Sequence, residues 1–253
     1  MLNPFVMVEA FLAFILALAL HEYGHSVMAT VLGDTTPLRN GRLSLSPRQH
    51  MSMVGTLVAI ASSVSVLGGV GWGKPLDYDA NRMRVNPDVG TFLVGIAGIV
   101  TNVLAGGVIA IGLRFLPSSG AISLQWLQAC PGATGGMLQS CLGTVTPGWE
   151  LRIEQFLVAF VVANFILALI NLIPCAPLDA YTIIFALLPA GPAIWLRRYV
   201  PVMELLLLVF FFLIPYILAF VRIPFDPSAI FSGWAKLLAF SITGPSYGFY
   251  DAL

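Results

Sequence analysis

An unbroken apolar run, Phe11 to Leu20, leads directly into His21-Glu22-Tyr23-Gly24-His25, which places an H-E-x-x-H pattern inside a membrane helix. Residues four apart lie on one face of a helix, so His21 and His25 can both offer a ring nitrogen to one ion while Glu22 stands beside it. Zinc binds imidazole readily and leaves a position for water. A metal lowers the pKa of such a water to roughly 7, and a neighbouring carboxylate can take its proton and deliver it to a leaving amine. The implied chemistry is hydrolytic. A chance grouping is the alternative, but the chain has only three His and twelve acidic residues in 253. Each ionisable group at bilayer depth costs roughly 2.5 to 3.5 kcal/mol on insertion scales, which disfavours three idle ones together.

Composition agrees with a polytopic membrane protein. Hydrophobic residues make up 58% of the chain and charged residues 9%, with a mean hydropathy of +0.90; soluble domains carry about 25% charged residues. Net charge is zero, and no basic patch interleaves with aromatics, so nucleic acid is not an expected partner. The N-terminus lacks a positive n-region and an A-x-A site, and its apolar stretch carries the metal pattern, so it is expected to be retained.

Apolar length marks four clear spans: Pro4 to Leu32, Thr91 to Phe115, Ile153 to Ile173, and Val202 to Val221 with a kink expected at Pro215. Pro4 suits a helix start, and Gly33-Asp34 an end. The alternation in Gly41-Arg-Leu-Ser-Leu-Ser46 predicts a short membrane-associated strand or hairpin arm. Met53 to Trp72 is long enough to span, yet Ser62, Ser63, Ser65, Gly68, Gly69, Gly71 and Gly73 make a poor continuous helix, so it either re-enters or forms a fifth span. If it re-enters, Arg39, Arg42, Arg48, Lys74, Arg82, Arg84, Arg197 and Arg198 share one side, and the positive-inside rule makes that side cytoplasmic. If it spans, those charges divide and the downstream orientation changes. The expected fold is thus an all-α polytopic membrane protein, one domain over 1–253 with a core at 1–190 and an accessory helix and tail at 191–253.

Under the re-entrant topology His21 and His25 lie toward the cytoplasmic half. A third ligand is needed, and Asp179 in Asn171-Leu-Ile-Pro-Cys-Ala-Pro-Leu-Asp-Ala180 is the candidate. Pro174 and Pro177 break the helix at membrane depth, which is tolerated where backbone lines a cavity. The competing reading makes Asp179 an N-cap for the helix Tyr181 to Leu188.

H-E-Y-G-H on the first span, with N-x-x-P-x-x-P-L-D far downstream, resembles the site-2 protease family of intramembrane zinc metalloproteases, in the compact form without PDZ or CBS domains. Two further stretches are similar: Gly71-Trp-Gly-Lys-Pro75 to a G-W-A-K-P segment, and Ala97-Gly-Ile-Val-Thr-Asn102 to the family's A-G-P-x-x-N. The resemblance implies Zn2+ held by His21, His25 and Asp179, with Glu22 as the catalytic base acting on a peptide carbonyl. It implies Asn102 and Asn171 as donors to the oxyanion or the substrate backbone, although helix-helix hydrogen bonding is an equal role for each. The implied partners are the lipid bilayer and a single-span membrane protein, cut in or near its transmembrane segment, in a prokaryotic cell membrane. Ala180 replaces the family's usual Gly, Leu172 a frequent Pro, and Ile99 a Pro; none removes a ligand. The strand at Gly41–Ser46 could pair with an unwound substrate.

Other residues have competing readings. His50 is a polar interfacial residue or a ligand, and Cys175 a small buried hydrophobe or a ligand. Cys130 and Cys141 share a Gly-, Ser-, Thr- and Pro-rich loop where a disulfide could form. Phe231 to Phe240 is expected along the interface, with Trp234 and Lys236 at headgroup level. Two other functions fit the metal pattern: a catalytically silent metal-binding protein that grips membrane helices, and a small metal or proton transporter. Intact Glu22 argues against the first, and the scarcity of ionisable groups on the other spans argues against the second. Two His and an Asp could also hold iron, cobalt or manganese.

Overall fold

A computed structural model describes residues 4–53, 73–115, 149–223, 225 and 227–243. In chain order its helices are α1 (Pro4–Val31), α2 (Thr36–Arg39), α3 (Pro47–His50), a 3-10 turn at Ala80–Arg82, α4 (Pro87–Phe115), α5 (Trp149–Ile170), α6 (Asp179–Leu187), α7 (Ala190–Arg197), α8 (Val200–Leu208), α9 (Ile214–Phe220) and α10 (Ser228–Thr243). Helices α1, α4 and α5 pack on one another, α6 packs on α4, and α10 covers α4 and α5.

Small residues set how closely the frame packs. Gly24 of α1 lies so near Thr101 of α4 that a Cβ there would overlap the Thr101 hydroxyl, and the Ala97 carbonyl is 3.0 Å away. Close backbone approach through small residues is the usual way membrane helices associate, because lipid offers no hydrophobic drive between them. Phe14, Ile15, Ala17 and Leu18 of α1 close on Leu167 of α5. Ala110 and Leu113 of α4, Val161 and Phe165 of α5, and Ala235 and Ala239 of α10 form a second apolar cluster.

Among the described residues, three helices are long and apolar enough to cross a membrane: Val8–Val31, Pro87–Phe115 and Val200–Leu218. The expected third span, Ile153 to Ile173, lies on α5, which has 22 residues. Its apolar helical part is Phe156–Ile170. The chain turns after Ile170, where Ile173 N–H bonds the Ile170 carbonyl and Cys175 N–H the Ile173 carbonyl. The kink expected at Pro215 is a π turn at Val209–Leu213, with Ile214 N–H reaching back to the Val209 carbonyl. A wider turn there accommodates the N–H that proline lacks.

Among the described residues there is no strand, and Gly41–Ser46 is irregular, contrary to the hairpin expectation. Local partners take its backbone groups. Arg42 N–H bonds the Pro37 carbonyl, Ser46 N–H bonds Ser44 Oγ, and the Ser44 carbonyl accepts from His50 Nε2 at 2.5 Å. An isolated antiparallel pairing joins Met51 to Gly73. The choice between re-entry and spanning at 53–72, and the Cys130–Cys141 pair, lie outside the described residues.

Helix α1 ends as expected at Gly33, whose φ of +114° is left-handed. Asp34, fully buried, then ties this corner to the segment before α4. Its Oδ1 accepts from Thr36 N–H and the Thr36 hydroxyl, and its Oδ2 from Asp79 N–H at 2.7 Å. The tail expected along the interface is helical: α10 packs on α4 and α5 through buried Ala235 and Ala239 and leaves Trp234 exposed.

Candidate metal centre

His21 and His25 project from one face of α1 into the packed region and are both buried. Their Nε2 atoms are 3.1 Å apart and their rings meet edge to face, at 87°. His25 Nδ1–H donates to the Val94 carbonyl of α4 at 2.6 Å. That bond fixes the ring and leaves Nε2 with the lone pair, the arrangement that orients a metal-binding histidine. Gly98, one turn along α4, makes room for both rings: a Cβ there would lie 2.6 Å from Cε1 of each and closer still to His25 Nε2.

Asp179 reaches the same point from the break after α5. Its Oδ2 is 3.2 Å from His21 Nε2 and its Oδ1 3.2 Å from His25 Nε2. Leu178, not Asp179, is the N-cap of α6, so the capping alternative does not describe this carboxylate. Asn171 builds the approach. Its carbonyl accepts from Ala180 N–H at 2.9 Å and its side-chain oxygen from Asp179 N–H at 3.3 Å. Asn171 Nδ2 donates back to the Leu167 carbonyl of its own helix. Asn171 therefore holds the Asp179 turn.

Ligands at 2.0–2.1 Å from a tetrahedral zinc are about 3.3–3.4 Å apart. The separations of 3.1 and 3.2 Å here fit such an ion, as does the donor set of two imidazoles and a carboxylate. Among the described residues, Asp179 Oδ2 and His21 Nδ1 have no hydrogen-bond partner. Among the described residues, His21, His25 and Asp179 are the group that could hold a metal.

Glu22 is half-buried beside the ligands, and Gly73 presses on it: a Cβ at 73 would overlap the Glu22 carboxylate and lie 2.8 Å from its Cδ. Asn102 is fully buried on α4, one turn beyond Gly98, and neither its Oδ1 nor its Nδ2 has a partner among the described residues. The other two candidates lie elsewhere. His50 is bonded to the Ser44 carbonyl, and the Cys175 thiol faces the Met203 carbonyl at 3.6 Å. Sequence reasoning missed Gly98, Gly73, Arg42 and the Val94 carbonyl. The first two sit inside the motif-like stretches 97–102 and 71–75, which was the available signal.

The profile of Peptidase family M50 matches residues 9–214, from α1 through the first residue of α9. A protein of Bacillus subtilis (strain 168), YwhC, which bears the provisional name of a zinc metalloprotease, is 30% identical over 190 residues. The alignment covers 75% of this chain and 72% of that protein. No solved structure matches. The profile takes in the H-E-x-x-H turn, Asp179 and the helices that bring them together, so the chain belongs to Peptidase family M50, the site-2 protease family of intramembrane zinc metalloproteases.

Proposed function

We propose that this chain hydrolyses a peptide bond in or near a transmembrane segment of a single-span membrane protein, using zinc held by His21, His25 and Asp179. The observation that carries this reading is the convergence of two histidine nitrogens 3.1 Å apart with the Asp179 carboxylate, which sets one oxygen 3.2 Å from each of them, beside Glu22 and inside an apolar helix bundle. Zinc, when bound, supplies Lewis acidity and a lowered pKa for water. Glu22 is the proton carrier: it takes a proton as water adds to the carbonyl carbon and gives it to the amine nitrogen as the C–N bond breaks. Gly73 restricts where that carboxylate can point. Asn102 offers a desolvated amide for the carbonyl oxygen or backbone of the substrate, since both its polar atoms are buried without partners among the described residues.

Residues 1–253 are read as one membrane-embedded domain, with 191–253 as an accessory helix and tail on a core at 1–190. Basic residues Arg39, Arg42, Arg48, Lys74, Arg82 and Arg84 cluster between α1 and α4, which supports a cytoplasmic setting for this end of α1. The test is zinc content and cleavage of a model single-span substrate in detergent, comparing the native chain with Glu22→Gln. About one zinc per chain is expected in both proteins, with cleavage by the native chain alone. Cleavage that survives in Glu22→Gln, or absence of zinc from the native chain, overturns the reading.

A further inference from the structure

Arg42 is 3% exposed although it lies between two short helices outside the bundle. Burying a guanidinium costs several kcal/mol unless its N–H groups find partners. Here both arms of the fork go to backbone: Nη1 donates to the Gln49 carbonyl at 2.6 Å and Nη2 to the Pro75 carbonyl at 2.9 Å. The same two segments are joined by Lys74 N–H to the His50 carbonyl at 2.7 Å and by the Met51–Gly73 pairing. His50, fully buried, anchors the first segment through Ser44. The second segment carries Gly73, which lies against the Glu22 carboxylate. The Arg42 charge is also within electrostatic reach of Glu22.

We propose that Arg42 is a positioning residue for the reaction: by tying Gln49 to Pro75 it clamps the Gly73–Pro75 segment against Glu22 and confines that carboxylate to its working orientation. The proposal rests on the protease reading, but the clamp has a signature of its own. A planar fork can bond two carbonyls at fixed angles, whereas an ammonium supplies the charge without that geometry. Arg42→Lys should therefore restore function only in part.

The experiment compares native, Arg42→Gln and Arg42→Lys chains in detergent by zinc content, kcat and KM on a model single-span substrate, and amide exchange. Arg42→Gln should keep its zinc, lose at least about tenfold in kcat with KM within roughly twofold, and exchange faster at 73–78 but not in α1 or α4. Arg42→Lys should fall between Arg42→Gln and native. Unchanged exchange at 73–78 overturns the clamp, and native kcat alongside faster exchange overturns its role in the reaction. If both variants lose zinc and protection throughout α1 and α4, Arg42 is a general stabiliser and the proposal is wrong. A native chain that holds zinc and cleaves nothing defeats the protease reading itself, and that outcome is visible before either variant is made.

Discussion

Replacing Gly98 by alanine places a methyl group against the metal ligands. Its Cβ would lie 2.6 Å from Cε1 of both His21 and His25. Carbon atoms in good contact are about 3.5–4.0 Å apart, so the rings or α4 must yield by about 1 Å. His25 has little freedom to retreat, because its Nδ1 is bonded at 2.6 Å to Val94 on the same helix that carries the new methyl. Separating α1 from α4 instead would undo the close packing of Gly24 on Thr101. Metal sites tolerate about 0.2 Å in ligand distance, so either escape should cost at least ten- to a hundredfold in zinc affinity, about 1.4–2.7 kcal/mol. The assay is zinc retained against graded chelator, read by elemental mass spectrometry, with helix content followed by circular dichroism. Gly107→Ala and Gly112→Ala on the same helix are the controls, since a Cβ at either position meets nothing within 4 Å. Both should bind zinc as the native chain does and gain about 0.5–1 kcal/mol from improved helix propensity. A folded Gly98→Ala protein with native zinc affinity would refute the packing argument.

Three further outcomes are expected. Gly73→Ala puts a Cβ 2.8 Å from Glu22 Cδ and should lower cleavage by about ten- to a hundredfold with zinc retained; undiminished cleavage would mean that Gly73 does not constrain Glu22. Asn102→Leu removes two buried polar atoms that lack partners among the described residues, so it should leave stability unchanged or higher by up to about 1–3 kcal/mol while cleavage falls; lower stability with normal cleavage would make Asn102 a structural residue. For Asp34, burial works to raise the carboxyl pKa, but the bonds from the Thr36 hydroxyl and from Asp79 and Thr36 N–H prevail and hold it below the usual value. A lowered folded-state pKa stabilises fully above the unfolded value of about 3.9, and that contribution fades as pH falls through the folded value. Asp34→Asn should thus be destabilised by about 1–3 kcal/mol at pH 7, with the gap to native closing in acid; a gap independent of pH in detergent melts would contradict this.

The proposed ligands were legible because their chemistry is written in local spacing. Two His four apart fix a helical face wherever the helix lies, and Asp179 follows two prolines that could only be tolerated at a break. The misread elements depend on what each residue meets in space. Alternation across Gly41–Ser46 suggested a strand, but the pattern does not reveal that Arg42 and His50 would take carbonyls from their neighbours. Hydropathy carried the third span on to Ile173, whereas Asn171 spends its side chain holding the Asp179 turn and ends the helix near Ile170. The packing of α10 likewise rests on the small face of Ala235 and Ala239, a pairing that Trp234 and Lys236 do not announce. Gly24, Gly73 and Gly98 matter only for the groups opposite them, which no one-dimensional pattern names.

One stripe of α4 explains why these parts meet where they do. Val94, Gly98, Asn102 and Gly106 follow at intervals of four, and on a helix of 3.6 residues per turn each step drifts by about 40°. At Val94 the stripe faces α1, where its carbonyl holds His25. By Gly106 it faces α5, where a Cβ would meet Asn164 Cβ and Phe165 at 3.2–3.3 Å. Gly98 and Asn102 lie between, where the stripe passes from one helix to the other. Asn102 is therefore carried past α1 before it is covered by α5, which accounts for an amide that is fully buried yet bonded to neither helix. In a pure apolar seam that placement would only destabilise. One turn from Gly98 and the two ligand rings, it puts a hydrogen-bonding group where a peptide carbonyl can be held during hydrolysis.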